Sequence, residues 1–144
     1  MTGTILVAVN DSSAAFRAVE VAVDHARSVG ARLRAVMVIE DGEIDRHLDG
    51  TATLARRREL AADAVLNHVI AVGEALGLDV AVHRRTGKIA AEILEEARAV
   101  EATLIVMARV DRPGHAIPSI GSHTLRVLEF SRIPVLVVPT DQHP

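Results

Sequence analysis

The feature that most narrows the fold is an alternation. Short, almost uninterrupted apolar runs take turns with longer stretches that are apolar on one side only. Ile5-Leu6-Val7-Ala8-Val9, Val36-Met37-Val38-Ile39, Leu104 to Met107 and Val135-Leu136-Val137-Val138 carry no charge at all. A strand of that kind must be covered on both faces, which is the condition of a parallel sheet flanked by helices.

The stretches between the runs have helical spacing. Ser12 or Ser13 can cap a helix whose inner face carries Phe16, Val19, Val23 and Ala26, with Gly30 ending it. Leu33 to Ile39 reads as the second strand. Residues 40–53 turn acidic (Glu40, Asp41, Glu43, Asp45, Asp49) and contain Gly42 and Gly50, the composition of a loop or a frayed helix start. A long helix follows, with Leu54, Ala61, Val65, Val69, Val72 and Leu76 on one face and Gly77 as its stop. Leu78 to His83 is the third predicted strand, and Ile89, Ile93, Leu94, Ala97 and Val100 mark the helix after Gly87. Leu104 to Met107 is the fourth strand. A loop with Gly and Pro runs to Gly121, a last helix spans Ser122 to Ser131, and Pro134 to Pro139 closes the chain as a fifth strand. Strands and helices in strict alternation predict βαβ units with right-handed crossovers. The expected fold is therefore α/β: one doubly wound domain over residues 1–144, a five-stranded parallel sheet with four helices.

Composition sets the material of the core and removes several function classes. Hydrophobic residues are 49% of the 144 and aromatics only 1%, so the interior must be built from Val, Leu, Ile and Ala. The net charge of −3 leaves no basic surface of the sort that grips nucleic acid. Arg56-Arg57-Arg58 reads as the solvated first turns of a helix. There is no cysteine, which removes disulfides, thiolate nucleophiles and zinc–thiolate sites. No apolar run approaches the length needed to cross a bilayer, and Ile5–Val9 is too short for a secretion signal; a cytoplasmic protein without a membrane partner is expected. The fifth strand is uncharged and bracketed by Pro134 and Pro139. An apolar strand at a sheet edge invites pairing, so a homodimer through residues 134–138 is expected.

The ordered set of segments resembles a known family. ILVAVNDS, then a helix and ARLRAVMVI, is similar to the opening of universal stress proteins, and LIVMARVDRPGHAIPSIGSHTLRVLEFSRIPVLVVP is similar to their C-terminal third. The resemblance implies strand order 3-2-1-4-5, dimerisation through the last strand, and in many members an adenine-nucleotide site. Other members lack that site and act as stress-induced regulators.

Under that order the topological switch point lies between strands 1 and 4, where open α/β sheets bind ligands at the carboxyl ends of their strands. The candidate binding residues are Ala8, Val9 and Asn10 (with Asp11 beyond) after strand 1, and Met107, Ala108 and Arg109 after strand 4. Val38, beside Ile39 at the end of strand 2, could line an adenine pocket. Gly121 and Ser122 open the last helix, where backbone N–H groups and the dipole favour an anion. His123 follows them.

The nucleotide signature that the resemblance implies is Gly, two residues, Gly, nine residues, then Gly followed by Ser or Thr. Counted back from Gly121-Ser122, the first two glycines fall on Ala108 and Asp111; Gly114 matches a further, less diagnostic glycine, and Asn10 stands where the family usually has an acid. A Cβ obstructs close backbone approach to phosphate. A carboxylate at Asp111, ~6 Å from a phosphate at an effective dielectric near ~20, repels it by on the order of 3 kcal/mol. Asp11 and Asp41 on the same edge add to the repulsion, and Arg109 and Arg112 offset part of it. Asn10 keeps the shape of the acid and can still hydrogen-bond a hydroxyl.

No nucleophile–base pair or metal cluster is evident in the sequence. Of the seven histidines, His25, His47, His68, His83, His115 and His143 read as solvated surface imidazoles, and Lys88 as a solvated lysine. The function expected is that of a non-enzymatic stress-response homodimer with an altered adenine-nucleotide site, acting through a protein partner and holding AMP, ADP or ATP, if any cofactor. The alternative is an ATP- or AMP-binding sensor with slow or no hydrolysis.

Overall fold

The computed structural model describes residues 3–40, 51–109 and 121–139, and within α2 the side chains from residue 53 onward. The elements are β1 (Thr4–Val9), α1 (Ser13–Val29), β2 (Arg32–Glu40), α2 (Thr51–Ala75), β3 (Val80–Gly87), α3 (Ile89–Ala99), β4 (Ala102–Ala108), α4 (Ser122–Phe130) and β5 (Val135–Val138). The five strands form one parallel sheet in the order β3-β2-β1-β4-β5. The expected fold class and strand order are thus observed.

Alternation along each central strand divides the core in two. Ile5, Val7 and Val9 face α1 and α2, together with Leu33, Ala35 and Val106. Leu6, Val36, Ile105 and Met107 face the other way, onto α3 and α4. Small residues let α1 sit close to the sheet: Ala15, Ala18, Ala22 and Ala26 are all buried at helical spacing. Ser12 caps α1, its hydroxyl accepting from the Ala15 amide at 3.1 Å. Gly30 ends the helix at φ 69°, a left-handed conformation that a Cβ would strain.

Two expectations about element limits need correction. The third strand is not Leu78–His83 but Val80–Gly87. Arg84, Arg85 and Thr86 continue it because β3 is an edge strand whose long cationic side chains reach carboxylates on α2 and α3. The apolar stripe of α2 is also displaced. Val65 and Val69 are buried as expected, but their companions are Ala62 and Leu66, whereas Ala61 is exposed and Leu54 and Leu76 are 38% and 39% exposed. The 25-residue helix extends past the part that packs on the sheet, so among the described residues its outer turns find little to bury against. Arg56, Arg57 and Arg58 lie on that exposed first part. Among the described residues no helix is long and apolar enough to cross a membrane.

Candidate functional site

The carboxyl ends of β1 and β4 separate where the chain crosses to opposite sides of the sheet. The gap between them opens into a cleft of about 270 Å³. Its floor and walls are aliphatic: Val36 and Val38 from β2, Ala8 and Val9 from β1, Met107 and Ala108 from β4, and Ile89 and Ile93 from α3. Asn10 stands on one side of the mouth, and Gly121, Ser122, His123 and Thr124 from the start of α4 stand on the other.

Local sequence explains each wall. Val36 and Val38 are two residues apart on one strand and so share a face. Ile89 and Ile93 are one turn apart at the start of α3, above them. Gly121 caps α4 at φ 89° and offers no side-chain cap, so the amides of the first turn are left without an intrahelical acceptor. Thr124 is buried and its hydroxyl donates to the Ala108 carbonyl at 3.5 Å, which ties α4 to the end of β4. The Ser12 hydroxyl donates to Asn10 Oδ1 at 2.5 Å, leaving the Asn10 amide nitrogen available at the mouth.

Nine of the residues singled out from the sequence therefore come together around one cavity: Ala8, Val9, Asn10, Val38, Met107, Ala108, Gly121, Ser122 and His123. Arg109 is not among the lining residues. It follows β4 directly, and its amide donates to the Val138 carbonyl at 2.8 Å, extending the ladder to β5. Gly114, Asp111, Arg112 and Asp41 lie outside the described residues. Ala15, Val36, Ile89, Ile93 and Thr124 also line the cleft and were not anticipated. Val36 was recoverable as the same-face neighbour of Val38, and Thr124 as the third residue of a helix whose first two were chosen.

The larger omission is a charged cluster on the same side of the sheet. Glu96 is 1% exposed beneath α3 and receives three side chains from β2 and β3. Arg34 Nε donates to Oε2 at 2.6 Å, Arg85 Nη1 donates to Oε1 at 2.7 Å, and His83 Nδ1 lies 2.8 Å from Oε1. Arg85 Nε reaches Glu92 at 2.9 Å. Burial by itself raises the Glu96 pKa, but the hydrogen bonds from Arg34, His83 and Arg85 together outweigh it and hold the group at about 2. An ionised carboxylate only accepts, so His83 presents Nδ1–H to it and turns Nε2 outward. His83 is thus partly solvated, as its sequence context suggested, yet fixed in orientation. A sequence clue existed: Glu96 occupies the inner stripe of α3, three residues after Ile93 and seven after Ile89.

Comparison with known proteins agrees with this architecture. The sequence matches the Universal stress protein family over residues 1–139. A universal stress protein family member from Burkholderia pseudomallei superposes with a TM-score of 0.75 at 27% identity, covering 96% of each chain. The universal stress protein from Archaeoglobus fulgidus in complex with dAMP gives 0.74 at 22% identity over 94% of this chain and 97% of that one. A universal stress protein in complex with cAMP gives 0.70 at 23% identity over 94% and 95%. No curated protein matches the sequence significantly. With the strand order, the cleft at the switch point and a family match over nearly its whole length, this chain belongs to the universal stress protein family.

Proposed function

We propose that this chain is a non-enzymatic, cytosolic stress-response domain, a homodimer through β5, whose cleft takes an adenine nucleoside or monophosphate in preference to a triphosphate. The observation that carries this reading is the size and polarity of the cleft. At about 270 Å³ it lies just under the ~300–1,000 Å³ usual for small-molecule sites. Its aliphatic floor suits a flat base, and the amides at the start of α4 suit one anionic group at the mouth. The two ligands named above for relatives, dAMP and cAMP, are both monophosphates.

Ala108 supports the same preference. Its Cβ stands at the cleft wall where the family signature has glycine, and Asp111 replaces the second glycine of that signature. The first narrows the approach of a phosphate chain, and the second repels it. The dimer reading rests on β5, whose Leu136 is 38% exposed on an uncharged edge. Action would then pass through a protein partner that reads the dimer.

A second reading, an ATP- or AMP-binding sensor with slow or no hydrolysis, is favoured by Gly121-Ser122, which places a helix start with no side-chain cap at the cleft. Calorimetric titration with adenosine, AMP, cAMP, ADP and ATP, with and without Mg²⁺, separates the two. Tight Mg²⁺-dependent ATP binding overturns the first reading, and no heat with any of these ligands overturns both. In the variant Ala108→Gly with Asp111→Gly, ATP affinity rises more than tenfold if those two side chains are the obstacle.

A further inference from the structure

We infer that the face of β2 and β3 beside the Glu96 cluster is a second binding site, specific for a phosphate-type oxyanion and separate from the cleft. Arg32 and Arg34 project from the same face of β2, two residues and so ~6.6 Å apart along the strand. Across the ladder Arg34 pairs with Ala81, and Val36 pairs with His83. The short, exposed Ala81 side chain therefore leaves a notch between Arg34 and His83.

Of the donors around this notch, Arg34 and His83 are held in place, and none is fully satisfied. Arg34 spends only Nε on Glu96. Among the described residues its two terminal nitrogens, the whole Arg32 guanidinium and His83 Nε2 make no hydrogen bond. Because a buried carboxylate holds Arg34 and His83 from behind, an incoming anion does not have to order them, which removes much of the usual entropic cost of binding. The planar edge of Arg34 matches two oxygens of a phosphate, as a lysine would not. The local charge includes three guanidinium groups: Arg34 and Arg85 pair with Glu96 and Glu92, and Arg32 adds a further exposed positive charge on the same face of β2. Free inorganic phosphate and a phosphate ester on another protein offer the same chemistry.

Arginine Nε–H and backbone amide resonances, followed during titration of the full chain with inorganic phosphate and then with a phosphoserine peptide, test the site directly. The expected result is a saturable shift of Arg32, Arg34 and His83 that sodium chloride at equal ionic strength does not reproduce. Arg32→Ala should weaken it about fivefold, the upper end of what one exposed charge contributes, with the rest of the spectrum unchanged. Arg34→Lys keeps a donor for Glu96 but loses the planar edge, and should weaken phosphate at least as much while the protein stays folded. A peptide that moves these resonances at lower concentration than inorganic phosphate identifies a protein-borne anion; the reverse order identifies the free ion. Phosphate shifts confined to Gly121–Thr124, or shifts that only grow linearly with concentration, overturn the proposal.

Discussion

The two edges of the sheet solve the same problem in opposite ways. β3 is eight residues long and carries His83, Arg84 and Arg85. Arg84 reaches Asp63 on α2 at 2.8 Å, while Arg85 and His83 reach Glu96 under α3. Charge on both faces thus finishes this edge within the chain, and pairing with another strand would gain little. β5 is four residues long, has no charge, and exposes Leu136, with Leu125, Leu128 and Phe130 of α4 exposed as well. Nothing described within the chain covers that edge. The difference teaches that one boundary of the sheet is electrostatic and self-contained, whereas the other is apolar and suited to a second copy.

The largest effect is expected from Glu96→Gln. The amide is a poorer acceptor for two arginines in a buried setting, so unfolding free energy should fall by on the order of 3 kcal/mol, measured by urea denaturation. A loss under ~1 kcal/mol would mean that the β3 edge does not depend on its buried anion.

Acid should act through the same group with an effect of about the same size. The folded-state pKa is depressed from 4.5 to about 2, so the contribution of Glu96 is full above the unfolded value and fades as pH falls from 4.5 through 2. Each unit of that difference is worth ~1.4 kcal/mol. Stability of the parent chain should decline over this window more steeply than that of Glu96→Gln, and parallel curves would remove Glu96 as the cause.

At the other edge, Leu136→Asp should convert the proposed dimer to monomer in light scattering, while the cost to the monomer stays below ~1 kcal/mol because the side chain is 38% exposed. An unchanged dimer would move the interface away from β5. The smallest effect is expected from Arg84→Ala. Its partner Asp63 is 48% exposed and Arg84 itself 32%, so solvent screens the pair and the loss should not exceed ~1 kcal/mol. A larger loss would show that both faces of the β3 edge, rather than the α3 face alone, secure it.

Much of this was legible in the residues themselves. Uncharged runs such as Ile5–Val9 and Val135–Val138 cannot be anything but buried or paired strands, and Gly30 after a helical stripe of alanines and valines is a plain stop. Nine cleft residues could be chosen because the family resemblance implied the strand order, and the switch point follows from that order. The third strand was cut short at His83 because Arg84 and Arg85 look like a turn when their partners are unknown. The inner stripe of α2 was misjudged because its register depends on how far the helix overhangs the sheet.

By itself, then, the sequence determined the element order and the aliphatic core, since these depend on local periodicity, and its family resemblance implied the strand order that located the cleft. Only the tertiary structure decided where the charges went. Glu96 lies 62 residues from Arg34 and 11 from Arg85, and a carboxylate on an apolar helical stripe becomes interpretable only when the strands beneath it bring their donors within 3 Å. Charge pairing acts over a few ångströms in space and is indifferent to distance along the chain, so the local pattern could mark Glu96 as facing inward but could not name its partners.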